Sequence, residues 1–123
     1  MTQAIRLAVT MGDPSGIGPE IIAKAAHQLR EDIASGRLEF IVLGSARALD
    51  TACAQAGLAR ASVPLTMIDV GPVEGEIQTG RITAVGGEWA YRAVKKAVEM
   101  VQAGEADAIV TAPLSKEALH MAG

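Results

Sequence analysis

The sequence predicts an α/β fold in which helices cover a mainly parallel sheet. Short apolar runs typical of buried strands alternate with stretches in which apolar residues recur at helical spacing. Half of the residues are hydrophobic, yet only Phe40, Trp89 and Tyr91 are aromatic. A core of Ala, Val, Ile, Leu and Met is typical of helix-covered parallel sheets, and a chain of 123 residues is long enough for one compact domain.

The chain begins with a predicted strand, loop and helix. Residues Ile5–Met11 form an apolar run that stops at Gly12. After a glycine-rich loop, apolar residues return at helical spacing: Ile21, Ile22, Ala25, Ala26 and Leu29. Pro19 suits the first helical turn, where a missing N–H costs nothing.

The same order then recurs. Phe40–Leu43 is a second predicted strand, and Ser45 is a predicted N-cap for the helix that follows. This helix has an apolar face of Leu49, Ala52, Cys53 and Ala56 and is expected to stop at Gly57. Leu65–Val70 is a weaker third strand.

The stretch Gly71–Gly87 is rich in glycine and has no clear period, so we interpret it as an irregular arm or long loop. The next helix shows two adjacent apolar rows: Trp89, Ala93, Ala97 and Val101, and Ala90, Val94 and Val98. It is expected to end at Gly104. Ala108–Ala112 is then a predicted strand, and Ser115 begins a last short helix.

The glycine-rich loop Gly12–Glu20 is the first candidate site. It follows the carboxyl end of a strand and precedes a helix, which is where ligands tend to bind in open α/β sheets. The spacing is neither G-x-G-x-x-G nor a P-loop. Asp13 has three open interpretations: it binds a cation, accepts a substrate hydroxyl or caps the turn. Ser15 has no adjacent His to activate it as a nucleophile.

The second candidate loop is Thr111–Lys116, which also follows a strand and precedes a helix and is expected at the same sheet edge. Lys116 falls in the first turn of that helix, where the helix dipole disfavours a cation. An anionic ligand such as a phosphate would explain a lysine there, and a surface lysine without a ligand remains the alternative.

Other chemistries have little support in the sequence. The net charge is -3, and no run of basic and aromatic residues favours nucleic acid. Cys53 is the single cysteine and is expected to be a core residue. Neither His27 nor His120 has a partner at metal-ligand spacing. No apolar stretch approaches the ~20 residues that span a bilayer, and we expect a cytoplasmic protein without a membrane partner.

At the two loops the sequence resembles a known family. Residues Thr10–Glu20 (TMGDPSGIGPE) and Asp107–Lys116 (DAIVTAPLSK), continuing to Gly123, are similar to two signatures of the 4-hydroxythreonine-4-phosphate dehydrogenases. The glycine-rich arm and the Trp89 helix between them also fit, so the resemblance covers essentially the whole chain.

The resemblance implies an NAD-dependent oxidoreductase that also needs a divalent metal such as zinc or magnesium. Its reaction oxidises and decarboxylates 4-phosphohydroxy-L-threonine, a step of pyridoxine and pyridoxal phosphate biosynthesis, or a related phosphorylated four-carbon hydroxy acid. The implied fold is that of isocitrate and isopropylmalate dehydrogenases, with two α/β domains per subunit and a homodimer whose active site lies at the interface.

The family's chains are considerably longer, so we expect residues 1–123 to form the N-terminal part of the first domain, with an incomplete sheet and no second domain. The family's metal-binding histidines and most of its NAD contacts are expected beyond Gly123. We therefore assign no catalytic or metal residue here and expect the isolated chain to be inactive. Gly12, Asp13, Ser15 and Lys116 match signature positions and are predicted to line the substrate edge of the cleft. The alternative is a non-catalytic module that binds phosphate esters or a protein partner.

Overall fold

The computed structural model describes residues 4–113 and 116–123. Within them the elements follow one another as β1 (Ile5–Thr10), α1 (Gly18–Gln28), α2 (Arg30–Ala34), β2 (Leu38–Gly44), α3 (Ala46–Gln55), a 3-10 turn (Arg60–Ser62), β3 (Thr66–Asp69), α4 (Ala84–Gln102), β4 (Ala108–Thr111) and α5 (Lys116–Ala122). The predicted alternation of strands and helices is confirmed.

The strands form one parallel sheet in the order β3-β2-β1-β4. Ile5 lies opposite Leu38, and Thr10 lies between Leu43 on β2 and Thr111 on β4. A parallel strand pair needs a crossover connection, and the helices of this chain supply it. The predicted helix-covered parallel sheet is therefore confirmed.

Helices cover both faces of the sheet, so the central strands are apolar on both sides. Side chains alternate along each strand: Val9, Phe40 and Val42 belong to one cluster, which also contains the buried residues Ile22, Ala26, Leu49 and Cys53 of α1 and α3. Their neighbours on the same strands pack in a second cluster with α4, which contains Ala8, Ile41, Leu43, Ala93, Ala97 and Met100. The core thus lies in two layers on either side of β1 and β2.

The predicted helix ends are largely confirmed. The hydroxyl of Ser45 accepts a hydrogen bond from the backbone N–H of Ala48 at 3.1 Å, as an N-cap does. Gly57 and Gly104 follow the C-caps of α3 and α4 with φ angles of 71° and 75°, a conformation that glycine adopts without strain. Pro19 lies in the first turn of α1.

The interpretation of Gly71–Gly87 as wholly irregular is wrong at its end. Helix α4 begins at Ala84, with Thr83 as its N-cap, and includes the adjacent glycines Gly86 and Gly87. Glycine disfavours helix, but tertiary contacts require it here: a Cβ on Gly87 would overlap the backbone of Ala118 in α5. Close packing of α4 against α5 therefore outweighs helix propensity.

One of the two apolar rows expected on α4 is only partly buried. Trp89, Ala93 and Ala97 are buried as predicted, whereas Val98 is exposed. The buried surface of α4 continues from Ala93 and Ala97 to Met100, because this side of the helix lies over β1 and β2. Glu88 and Arg92, which are four residues apart on α4, form an ion pair with 2.9 Å between Arg92 Nε and Glu88 Oε1.

The short helix α2 and the 3-10 turn were not predicted. No residue of α2 is buried, so this helix lacks the apolar periodicity that marks the longer helices. Helix α5 begins at Lys116 in the structure; the prediction that it starts at Ser115 falls outside the described residues.

Strand β4 is an edge strand whose residues are all exposed, Ile109 and Val110 by 38% and 44%. The resemblance implies an incomplete sheet, and the exposed apolar residues of β4 agree with this expectation. Among the described residues, no helix is long and apolar enough to cross a membrane.

Candidate active site edge

The carboxyl ends of the four parallel strands meet at one edge of the sheet, and the loop Gly12–Glu20 lies there. Of the second predicted loop, Thr111–Lys116, positions 114 and 115 fall outside the described residues, and residues 111–113 lie at the same edge. The strand order reverses at β1: β2 and β3 extend to one side of it and β4 to the other. The two core clusters place α1 and α3 on one face and α4 on the opposite face. In open α/β sheets, the crevice beside the strand where the order reverses is the usual ligand site. The loops after β1 and β4 flank that crevice.

The loop after β1 is stabilised by the side chain of Asp13. Gly12 has a φ of 75°, which lets the chain turn sharply after the strand. One carboxylate oxygen of Asp13, Oδ1, accepts hydrogen bonds from the backbone N–H of Ser15 at 2.9 Å and from its hydroxyl at 2.5 Å. Asp13 therefore caps its own turn, one of the three interpretations that the sequence left open.

The Asp13 carboxylate also lies at the N-terminus of α4. It packs so closely on the α-carbon of Gly86 that a Cβ there would overlap it. The N-terminal end of a helix carries a partial positive charge, which favours a carboxylate in this position. The side chain is 7% exposed, so its position is set by the protein rather than by solvent.

Ser15 joins the same loop to the arm, which we define as residues 71–83 between β3 and α4. Its hydroxyl lies 2.8 Å from the carbonyl oxygen of Arg81, and its own carbonyl oxygen accepts the N–H of Gly80 at 2.7 Å. Ser15 is 3% exposed. Sequence reasoning missed the role of Gly80 and Arg81, because nothing in an irregular stretch indicates which distant residue it contacts.

The arm borders an open cavity of about 1000 Å³ on the β2 and β3 side of the glycine-rich loop. Its walls come from the glycine-rich loop, from α3 and from the arm itself, and include Pro14, Ile17, Thr51, Gln55, Ile77 and Trp89. This volume is at the upper end of what small-molecule sites occupy. Of the four predicted site residues, Ser15 lines this cavity.

Asp69, at the end of β3, fixes the base of the arm. Its Oδ1 accepts the N–H of Gly71 at 2.8 Å, and its Oδ2 accepts the N–H of Ala46, the first residue of α3, at 3.0 Å. With Ser45 capping Ala48, two N–H groups in the first turn of α3 are hydrogen-bonded to the protein's own side chains. The position of an aspartate at a strand end was the sequence signal for this role.

Lys116 lies apart from the cavity. It is the first residue of α5 and is exposed, and it follows β4 on the opposite side of β1 from β2. The structure thus brings Gly12, Asp13 and Ser15 together in one loop and places Lys116 across the crevice. That these four residues line a substrate site stays a prediction.

The described residues provide no metal site. They contain no group of three His, Cys, Asp or Glu side chains close enough to hold an ion. His27 is half-buried on α1, and His120 is exposed on α5. Cys53 is fully buried in the core, and burial raises the pKa of its thiol. We therefore derive no reaction step through a metal.

A dinucleotide fingerprint is absent as well. In such fingerprints one glycine lets the pyrophosphate approach the start of the helix. Here the space beside Gly18, the first residue of α1, is filled by the chain itself, because a Cβ on Gly18 would overlap the carbonyl oxygen of Met11. This glycine serves the packing of α1 on β1.

The sheet is parallel with helices on both faces, and a capped, glycine-rich loop lies at its switch point, the strand β1 where the order reverses. These features define an α/β domain of the class that binds ligands at the carboxyl ends of its strands. The family model described as Pyridoxal phosphate biosynthetic protein PdxA matches residues 17–123. The chain belongs to this family, as the resemblance of its two loops implied.

Individual relatives agree with this assignment. The D-threonate 4-phosphate dehydrogenase of Salmonella typhimurium is 40% identical over an alignment of 132 positions that covers 95% of this chain and 39% of the relative. The 4-hydroxythreonine-4-phosphate dehydrogenase of Beijerinckia indica is 39% identical over an alignment of 130 positions that covers 95% of this chain and 37% of the relative.

A solved structure shows the same fold. The crystal structure of a 4-hydroxythreonine-4-phosphate dehydrogenase from Burkholderia phymatum superimposes with a TM-score of 0.84 at 33% identity, covering 99% of this chain and 40% of that chain. The chain therefore spans about two fifths of the length of these relatives.

Proposed function

We propose that this chain supplies the substrate-side edge of an NAD-dependent and metal-dependent dehydrogenase. The substrate is a phosphorylated four-carbon hydroxy acid, either D-threonate 4-phosphate or 4-phosphohydroxy-L-threonine, which is oxidised and decarboxylated. The position of two loops on either side of the switch point carries this proposal, because a ligand in that crevice touches both.

The two loops differ in charge, which suits a ligand with a phosphate at one end. On one side Lys116 is exposed at the start of α5, where a cation opposes the helix dipole unless an anion lies nearby. On the other side, Asp13 is buried and its carboxylate is already hydrogen-bonded to Ser15. We therefore place the phosphate group beside Lys116, and we assign Asp13 and Ser15 to the shape of the loop.

The names of the relatives support a phosphate ester of a four-carbon acid as the substrate class. Relatives of nearly equal identity, 40% and 39%, are named for different members of that class. The two candidate substrates share the phosphate ester. They differ at the other end of the molecule, where 4-phosphohydroxy-L-threonine carries an amino group and D-threonate 4-phosphate does not. The residues that discriminate between them lie, in this proposal, outside the edge that the chain provides.

NAD and the divalent metal belong, in this proposal, to residues other than those described here, because no metal cluster and no dinucleotide fingerprint occurs among them. The metal, when bound, polarises the reacting oxygen. The chain's own contribution is to bind and orient the phosphorylated end of the substrate.

The test is an assay for NADH formation with each substrate and a divalent metal. The chain is assayed alone and then mixed with a C-terminal portion of the Salmonella typhimurium relative. We expect no activity from the chain alone and recovery on mixing. Activity from the chain alone would refute the proposal that the active site is divided between this chain and residues outside it. Binding of the phosphate ester without recovery would instead favour a non-catalytic binding module.

A further inference from the structure

Hydrogen bonds attach the arm, residues 71–83, to the rest of the protein at two places. At its base, the Arg92 guanidinium donates a hydrogen bond from Nη1 to the carbonyl oxygen of Pro72 at 2.7 Å, and Asp69 accepts the N–H of Gly71. At its far end the partner is Ser15. Among the described residues, no hydrogen bond joins the intervening positions 73–77 to another segment.

Ser15 makes this far attachment with both its side chain and its backbone. Its hydroxyl has one hydrogen and two acceptors within reach, Asp13 Oδ1 at 2.5 Å and the Arg81 carbonyl oxygen at 2.8 Å. Its carbonyl oxygen accepts the N–H of Gly80 at 2.7 Å. The single hydroxyl hydrogen is shared between its two acceptors, and the protein thus occupies both the hydroxyl and the carbonyl oxygen of Ser15.

We infer that Ser15 is a positioning residue, which holds the arm over the 1000 Å³ cavity and does not itself bind substrate. Asp13 orients it, and Ser15 in turn fixes Gly80 and Arg81. The wall of the cavity that the arm provides is therefore held by the hydroxyl and the backbone carbonyl of one buried residue, Ser15. This inference concerns the shape of the cavity and stands whether or not the chain belongs to a dehydrogenase.

Native-state hydrogen exchange of the unaltered chain tests the backbone half of the attachment. Gly75 and Gly80 are a matched pair, since both are exposed arm glycines with positive φ, 104° and 78°. Only the Gly80 N–H has a hydrogen bond to Ser15. We expect Gly80 to exchange about tenfold more slowly than Gly75 or slower still. Equal exchange would overturn the inference.

Ser15→Ala tests the side-chain half. Losing one hydrogen bond corresponds to about a five- to tenfold increase in the open population of the arm. Trypsin cleaves after arginine, so we expect cleavage after Arg81 to increase by that factor, while cleavage after Arg37 stays unchanged. Ser62→Ala is the control, because it removes a hydroxyl-to-carbonyl bond of 2.7 Å far from the arm. Equal cleavage after Arg81 in both variants would overturn the inference.

Trp89 gives a spectroscopic readout of the same event. It is the only tryptophan, is 8% exposed and lines the cavity beneath the arm. We expect acrylamide to quench its fluorescence more strongly in Ser15→Ala than in Ser62→Ala. Unchanged quenching together with increased cleavage after Arg81 would mean that the arm frays without opening the cavity, and would refute this role for Ser15.

Discussion

The carboxylate of Asp13 lies directly against the α-carbon of Gly86, so that the side chain of the loop after β1 reaches the backbone in the first turn of α4. This contact joins elements that are far apart in the chain. It explains why a helix tolerates glycine at this position, and it brings the loop, the arm and α4 into one unit. Several features of the site edge can be tested through it.

Replacing Gly86 by alanine is expected to destabilise the protein by about 1–3 kcal/mol. The added Cβ would overlap the Asp13 carboxylate, and this clash outweighs the gain of about 1 kcal/mol that alanine brings to a helix. Urea unfolding followed by circular dichroism measures the change.

The control for Gly86→Ala is Gly16→Ala. A Cβ on Gly16 would lie 3.4 Å from the carbonyl oxygen of Asp13, an ordinary van der Waals contact, so little change in the free energy of unfolding is expected. Asp13→Ala in the Gly86→Ala background is expected to cost less than the sum of the two single changes. Additive costs would show that the two residues do not interact.

The Cys53 thiol is expected to be inert in the folded protein. It is fully buried, and burial raises its pKa, so less of the reactive thiolate is present at any given pH. Because Cys53 is the single cysteine, its reaction with a disulfide reagent can be followed without interference. We expect the rate in buffer to be about a hundredfold lower than in urea. Similar rates would show that the α1–α3 side of the core is open.

The ion pair between Arg6 and Asp107 is expected to give a small pH-dependent contribution. The hydrogen bond that the Asp107 carboxylate accepts from the Arg6 guanidinium lowers the pKa of this carboxyl below its usual value. A carboxyl with a lowered folded pKa stabilises the protein above its unfolded pKa, and this effect is lost as the pH falls through the folded pKa. Asp107→Asn should therefore lower the melting temperature slightly at neutral pH and not at strongly acidic pH.

Asp50→Asn is the control for that prediction. Asp50 and Arg60 form a looser exposed pair at 3.6 Å, and surface pairs contribute little. A loss of melting temperature in Asp107→Asn that persists unchanged at acidic pH would contradict the role assigned to the ion pair. So would a loss that high salt does not reduce.

Lys116→Gln is expected to weaken the binding of D-threonate 4-phosphate about tenfold, because it removes a charge-assisted hydrogen bond to the phosphate. Lys95→Gln is the control, since Lys95 is exposed on α4 and belongs to neither loop. Calorimetric titration measures both. Equal affinities for the two variants would show that Lys116 is an ordinary surface lysine.

The strands and the helix caps could be predicted from the sequence because their causes are local. An apolar run stopped by glycine marks β1, and a serine before a helical face marks the N-cap of α3. The two candidate loops followed from the same signals, since the carboxyl ends of parallel strands share an edge. Capping of the turn by Asp13 was among the interpretations because it too is a local contact, between residues two positions apart.

The arm and the start of α4 could not be predicted because their causes lie far away in the chain. Ser15 and Arg81 are 66 positions apart, and no local pattern records their hydrogen bond. Gly86 and Gly87 read as helix breakers, and only the carboxylate of Asp13 and the backbone of Ala118 explain them. The exposure of Val98 likewise depends on how α4 lies across the sheet.

The most direct test of the proposed substrate edge is an amide NMR titration of the chain with D-threonate 4-phosphate, with unphosphorylated D-threonate as the comparison. We expect the phosphate ester to shift the amide signals of Gly12–Gly18 and of Ala112 and Lys116, on the two sides of the switch point, and the unphosphorylated acid to leave them in place. Shifts confined to other parts of the chain, or equal shifts with both acids, would contradict the proposal.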